Sequence, residues 1–290
     1  MWKTEAIVRD LLINLVAGIL IFIVGLRWGL ISSFLSRERA AFRRIFGARA
    51  VEAGIVTVTL DTYRDLRLLP SAVQQQLSIQ AAQLTGPQGQ RFFKIFPDGH
   101  WTMFPGAFGD ILGYCSARAA AYLINKLASV RKITVRVISD TDIEVASKWD
   151  GTFINLGSSA SNIKTDSIKH LPENTWFLDD LGKFTFKDGR DLEIDASGDK
   201  GIILKLVNPH FPGHSLFVCA GLGEWGTSGS AWFLSTHWRM LSRRFGKHPF
   251  LIALSVTPGN DESTREILSF GAFGEETMFW RVRSWLRAKK

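Results

Sequence analysis

Cysteine is nearly missing: only Cys115 and Cys219 stand in 290 residues. Two thiols cannot staple a small secreted scaffold, and no Cys-x-x-Cys spacing exists for a thiolate metal site. Both lie in apolar surroundings that suit reduced, inert core residues. Histidine is almost as scarce. Of six, His210 and His214 fall four apart, outside any helical pattern and with no third ligand, so no metal site is expected. No Ser-His-Asp or Cys-His arrangement can be assembled for nucleophilic catalysis. The Gly-x-x-x-x-Gly-Lys-Ser/Thr spacing of a P-loop is absent. There is no internal repeat and no low-complexity tract, and the residues name no cofactor.

What is present is enough apolar material for a core, with 46% hydrophobic and 21% charged residues. The net charge of +8 is unevenly placed. Residues 1–50 carry +5, and the last ten residues carry +5 without a single acid, which leaves residues 51–280 at −2. Basic charge confined to the two ends argues against a nucleic-acid surface and for a membrane surface. Residues 11–26 are apolar except for Asn14, and the run resumes after Arg27 and Trp28 through Leu35. About 20 apolar residues cross a bilayer core. Arg37, Arg39, Arg43, Arg44 and Arg49 follow the run, against Lys3 and Arg9 before it. The positive-inside rule then places the rest of the chain in the cytoplasm, below an inner or plasma membrane. The run is too long for a signal peptide and lacks a small-x-small cleavage site. Residues 36–53 read as a basic amphipathic helix at the membrane surface or as a plain linker.

Beyond residue 54 the pattern alternates between strand and helix. Strands are expected at 55–60, 91–96, 133–138, 153–156, 201–207, 215–220 and 250–256, the last closing the set. Helices are expected at 109–129, with Asp110 at its start, from Ser139/Asp140 to Trp149, at 163–171 and from about 228 to 245. Residues 64–90, polar and rich in Gln, read as an excursion from the core. Asp188-Gly189 between two alternating runs signals a hairpin within 184–194. The expected fold is α/β: one N-terminal transmembrane helix, then a Rossmann-like, mostly parallel sheet with an antiparallel hairpin added. The divisions are an anchor over 1–35, a basic juxtamembrane helix over 36–53, a cytoplasmic domain over 54–275 and a basic amphipathic tail over 276–290.

Two junctions in that domain carry chemistry. In Gly151-Thr-Phe-Ile-Asn-Leu-Gly-Ser-Ser-Ala-Ser-Asn162 a buried strand stops in a Gly/Ser turn and feeds a helix. Ser215-Leu-Phe-Val-Cys-Ala-Gly-Leu-Gly-Glu-Trp-Gly-Thr-Ser-Gly229 repeats the design. Such turns set backbone N–H groups and small hydroxyls at strand carboxyl ends, where open α/β sheets bind ligands and helix N-termini favour anions. Gly157, Ser158, Ser159, Ser161, Asn162 and Thr165 in the first turn, with Gly221, Gly223, Gly226 and Thr227 in the second, are the candidate ligand-binding residues. Asn162 either caps the next helix or lends its amide to a ligand. Gly221 to Gly226 fits G-x-G-x-x-G, yet the acidic ribose partner expected about 20 residues on is missing; Arg239, Arg243, Arg244 and Lys247 stand there instead. Glu224 is the one carboxylate in either turn and so the candidate catalytic residue, able to stabilise an oxocarbenium-like state beside a ribose.

The pairing of the two turns resembles a Rossmann-like domain of bacterial and archaeal proteins, with a Gly-Gly-Pro-x-x-Asn-type turn after one strand and an Ala-Gly-x-x-x-x-Gly-Thr-type turn after another. The resemblance covers roughly residues 100–260, with Ser158 and Ser159 at the Gly-Pro positions, and implies the fold. Three classes of function remain. One is a membrane-anchored cytoplasmic receptor or effector binding a nucleotide-type or other anionic small ligand, in bacterial signalling or antiphage defence. The second is a nucleotide- or NAD-processing hydrolase using Glu224. The third is a protein-interaction scaffold. Expected partners are the lipid bilayer and the small ligand, with a homo-oligomer or partner protein left open.

Overall fold

The computed structural model describes residues 36–61, 64–65, 92–95, 101–103, 114–130, 132–140, 150–159, 161–175, 177–180, 183–186, 189–195 and 198–271. The first described elements are a helix over 36–46 (α1) and the short α2, Ala48–Ala53. Strand β1, Ile55–Leu60, follows, and then a separate three-stranded sheet of β2 (Arg64–Asp65), β3 (Phe92–Ile95) and β4 (Trp101–Met103). Helix α3, Tyr114–Leu127, leads to β5, Thr134–Ser139. Next come β6 (Phe153–Leu156) and α4 (Ile163–Lys169). A second small sheet joins β7 (Phe177–Asp180), β8 (Lys183–Phe186) and β9 (Asp191–Glu193). The chain then runs through β10 (Asp199–Val207), β11 (Ser215–Gly221), α5 (Glu224–Phe245), β12 (Phe250–Thr257) and β13 (Asn260–Gly271).

Seven strands form the central sheet in the order β13-β12-β10-β11-β6-β1-β5. β5, β1, β6 and β11 lie side by side in parallel, and β12 points the same way; β10 and β13 run against them. The fold is thus the α/β sheet, mostly parallel in strand direction, that the alternation implies, and the hairpin of β8 and β9 is present. All four residues of β6 are buried because both sheet faces are covered. Ile154 and Leu156 face one layer, with α1, α3 and α5; Phe153 faces the other, with α4 and β8.

Residues 36–46 show the amphipathic pattern, and their apolar face is built into the first layer. Phe42, Ile45 and Phe46 are fully buried, and the Phe42 and Phe46 rings pack on Trp238 of α5 at 5.5 and 6.3 Å, with Phe217 of β11 5.2 Å from Phe46. Each such side chain contributes about 2 kcal/mol of burial. Arg37, Arg39, Arg43 and Arg44 stay exposed on the opposite side.

Several expectations need correction. β12 does not close the set: β13 pairs beyond it as an edge strand. The strand expected at 91–96 exists but belongs to the small β2–β4 sheet. Helix α5 begins at Glu224, a full turn before 228, which puts the candidate carboxylate inside the helix's first turn. Among the described residues no helix is long and apolar enough to cross a membrane; the expected span over 11–35 lies outside them. So do the expected helix after Asp140 and the basic tail.

Candidate functional site

Adjacent strands β1 and β6 send their chains to opposite faces. Among the described residues the next helix after β1 is α3, in the layer with α1 and α5; the next described helix after β6 is α4, in the other layer. A crevice at the carboxyl ends of such a pair is the place where open α/β sheets accept ligands. Asp61, directly after β1 and 6% exposed, forms one wall. Gly157, directly after β6, forms the other. Its φ of +106° belongs to glycine, and a Cβ there would stand 2.6 Å from Ser161 Oγ and 3.7 Å from Asp61 Cβ. The Gly157 N–H donates to Cys219 O at 3.0 Å, tying the first turn to β11 and bringing the two Gly-rich junctions together at one sheet edge.

Asn162 is the N-cap of α4. Its Oδ1 accepts from Lys164 N at 2.9 Å and Thr165 N at 3.1 Å, and its Nδ2 donates to Leu156 O at 2.9 Å. The side chain is fully buried, so the capping role absorbs its polar atoms. Thr165 Oγ1 donates to Gly157 O at 2.9 Å, and Ser161 Oγ to Ser158 O at 3.3 Å. Asp140, buried after β5, accepts the Ile163 N–H at 2.8 Å, adding a carboxylate to the same helix end. Beneath the turn, Thr59 Oγ1 donates to Asn155 Oδ1 at 2.6 Å and Asn155 Nδ2 to Phe217 O at 2.7 Å. Lys164, also buried, is pulled down to about 8 by burial against the opposing charge of Asp150.

The second turn is packed against its own chain. A Cβ on Gly226 would lie 2.1 Å from Lys200 O, and one on Gly221 2.2 Å from Thr227 N. These glycines let the first turn of α5 press on β10 and β11. Asp199, at the start of β10, fills the helix end: its carboxylate accepts Gly223 N at 3.0 Å, Gly226 N at 2.7 Å and its neighbour Lys200 N at 2.7 Å. Thr227 is buried beside them. Both helix N-termini that the sequence offers to an anion are therefore occupied by protein carboxylates.

Further acids gather at this edge. Asp261, at the start of β13, accepts from Ser228 Oγ at 2.5 Å and Tyr122 OH at 3.0 Å and pairs with Arg118 at 2.8 Å. The Arg118 guanidinium also lies 3.8 Å over the Trp225 ring, holding α3 to the start of α5. Burial first, then the Asp61 charge and more weakly Glu224, push the Cys115 thiol up to about 11, which removes it as a nucleophile. Glu224 itself is exposed and makes no side-chain hydrogen bond or ion pair among the described residues. The sequence pattern marks Asp140 only as the start of a helix and gives Asp61, Asp199 and Asp261 no part in a site. A signal was available: each stands at the boundary of a strand whose end reaches this one edge. Among the described residues no group of three or more His, Cys, Asp or Glu side chains is placed to hold a metal ion.

Taken together, the sheet order and the two-sided helices define a Rossmann-like α/β domain with an acidic carboxyl edge. No protein-family model and no curated protein matches the chain.

Proposed function

We propose that the protein is a receptor or effector, anchored by residues 11–35, whose cytoplasmic domain binds a small nucleotide-type ligand in the β1/β6 crevice. The observation that carries this reading is the placement of α3 and α4 on opposite faces of the sheet beside adjacent β1 and β6, with Asp61 and Gly157 at the strand ends and the charges of both Asp61 and Glu224 reaching Cys115. Because Asp199 and Asp140 fill the two helix ends, the ligand is read through its sugar hydroxyls and base. Its phosphates point away from the acidic edge. Glu224, uncommitted to the fold, accepts a ligand hydroxyl. Mass spectrometry of small molecules released from the full-length protein, purified in detergent, tests the reading: a nucleoside-containing compound in stoichiometric amount supports it, and its absence favours a protein-interaction scaffold. A reporter active only outside the cytoplasm, fused to the C-terminus, stays silent if the topology is right.

The exposure of Glu224 at the start of α5 also supports a second reading, hydrolysis of the ligand at its ribose carbon with that carboxylate stabilising the cationic transition state. Glu224→Gln separates the two, since an enzyme binds and stops turning over whereas a receptor has no turnover to lose.

A further inference from the structure

The end of the sheet opposite the crevice carries the reverse charge. A cavity of about 450 Å³ opens there, where the end of β10 and the starts of β11 and β12 meet the end of α1 and the chain after α5. Its walls combine Arg43, Arg44, Lys247 and His214 with a mostly apolar surface that includes Val207 and Pro249, and no carboxylate lines it among the described residues. Two acids lie near it: Glu52, engaged by Arg49 at 2.9 Å and Arg43 at 4.0 Å, and exposed Asp150, whose charge acts on His214 against that of Arg49. Arg44 and Lys247 are exposed, and their side chains make no hydrogen bond or ion pair among the described residues. Burial, and then the Arg49 charge, keeps His214 below the ordinary imidazole value, so at neutral pH it serves as a hydrogen-bonding group; its Nδ1 lies 3.2 Å from Thr152 Oγ1.

The cavity walls are held in place from beneath. Lys205, 1% exposed, donates from Nζ to Arg44 O at 3.3 Å and Gly246 O at 3.0 Å, fixing the two chain segments that carry Arg44 and Lys247. Backbone meets backbone between the α1–α2 turn and the β10–β11 loop, where the Arg49 N–H donates to Gly213 O at 3.0 Å. Arg44 and Lys247, with Arg43 shared with Glu52 and the imidazoles of His214 and His248 beside them, match a multiply charged tetrahedral anion better than a lone carboxylate, and guanidinium groups grip it through paired N–H donors. We propose that this cavity is a second site, separate from the crevice, which binds a phosphate group. That group is supplied either by a soluble phosphate compound or by an anionic lipid headgroup, since Arg44 lies only about 12 Å of helix beyond residue 36, where the apolar stretch has just ended.

The test uses full-length protein in an uncharged detergent and in nanodiscs. In one arm pyrophosphate is titrated calorimetrically. In the other, native mass spectrometry counts lipids retained from nanodiscs of phosphatidylcholine mixed with phosphatidylglycerol. The double variant Arg44→Gln/Lys247→Gln is compared with Lys126→Gln/Arg136→Gln, which removes the same charge from exposed positions elsewhere. Pyrophosphate binding that falls at least tenfold in the cavity variant alone supports a soluble source. Phosphatidylglycerol retention lost in that variant alone supports a lipid source. No binding in either arm, or equal losses in both double variants, overturns the proposal.

Discussion

The carboxylate of Asp199 accepts the backbone N–H of Gly226 at 2.7 Å, across 27 residues of sequence. With the bonds to Gly223 and Lys200, this places a carboxylate at the N-terminus of the 22-residue α5. Asp199→Ala should lower the unfolding free energy by about 3 kcal/mol, because buried N–H groups lose their acceptor. Asp199→Asn should lose less, since it keeps one acceptor oxygen. The Ala variant should also gain more stabilisation from added phosphate than the wild type does, the vacated helix end being an additional anion site. Chemical denaturation with and without phosphate checks both statements.

Gly226→Ala should destabilise the fold by roughly 3 kcal/mol, because its Cβ would lie 2.1 Å from Lys200 O, a backbone atom with no room to yield. Gly189→Ala is the control: φ is +85° but nothing lies within 4 Å, so only the backbone strain of about 1 kcal/mol remains. Equal effects in denaturation would remove the close-packing account of the second turn.

Asn162→Ala should cost about 2 kcal/mol, more than an exposed cap, because the Leu156 carbonyl loses a buried donor as well as two N–H groups losing their acceptor. The loss should appear in the melting temperature, with ligand affinity unchanged.

The strands around both turns, the hairpin and the glycine positions are legible because each is a local pattern of alternation or of small residues. The capping acids are not, since Asp199 reaches a helix more than 20 residues away and Asp140 one 23 residues away; such pairings exist only after the sheet has assembled. β13 escapes notice for a different reason. Its buried positions Asp261 and Thr264 are polar, satisfied by α3 and α5 or by local backbone, so no apolar alternation marks the strand. The docking of α1 is hidden by its own arginines, which advertise a lipid surface while Phe42 and Phe46 enter the core.

Lys205 supplies a pH test. Burial lowers it from 10.5 to about 7, so between those values the unfolded chain binds a proton that the folded chain does not. Stability should therefore rise with pH from about 7 towards 10.5, and the penalty should be complete below about 7. Lys205→Met removes this contribution. The wild type should gain a few kcal/mol on the variant across that interval, read from urea denaturation at successive pH values. A constant difference between the two would show that the ammonium is not desolvated.

The crevice as ligand site is the central claim, and Glu224 is its uncommitted side chain. The most direct measurement is the affinity, by calorimetry, of the nucleoside-containing compound recovered from the purified protein for wild type and for Glu224→Gln, with melting temperatures taken in parallel. The account predicts at least a tenfold loss of affinity with a melting temperature changed only by the small loss of a first-turn carboxylate, because the side chain makes no hydrogen bond or ion pair among the described residues. An affinity equal to wild type in a normally folded variant would contradict it.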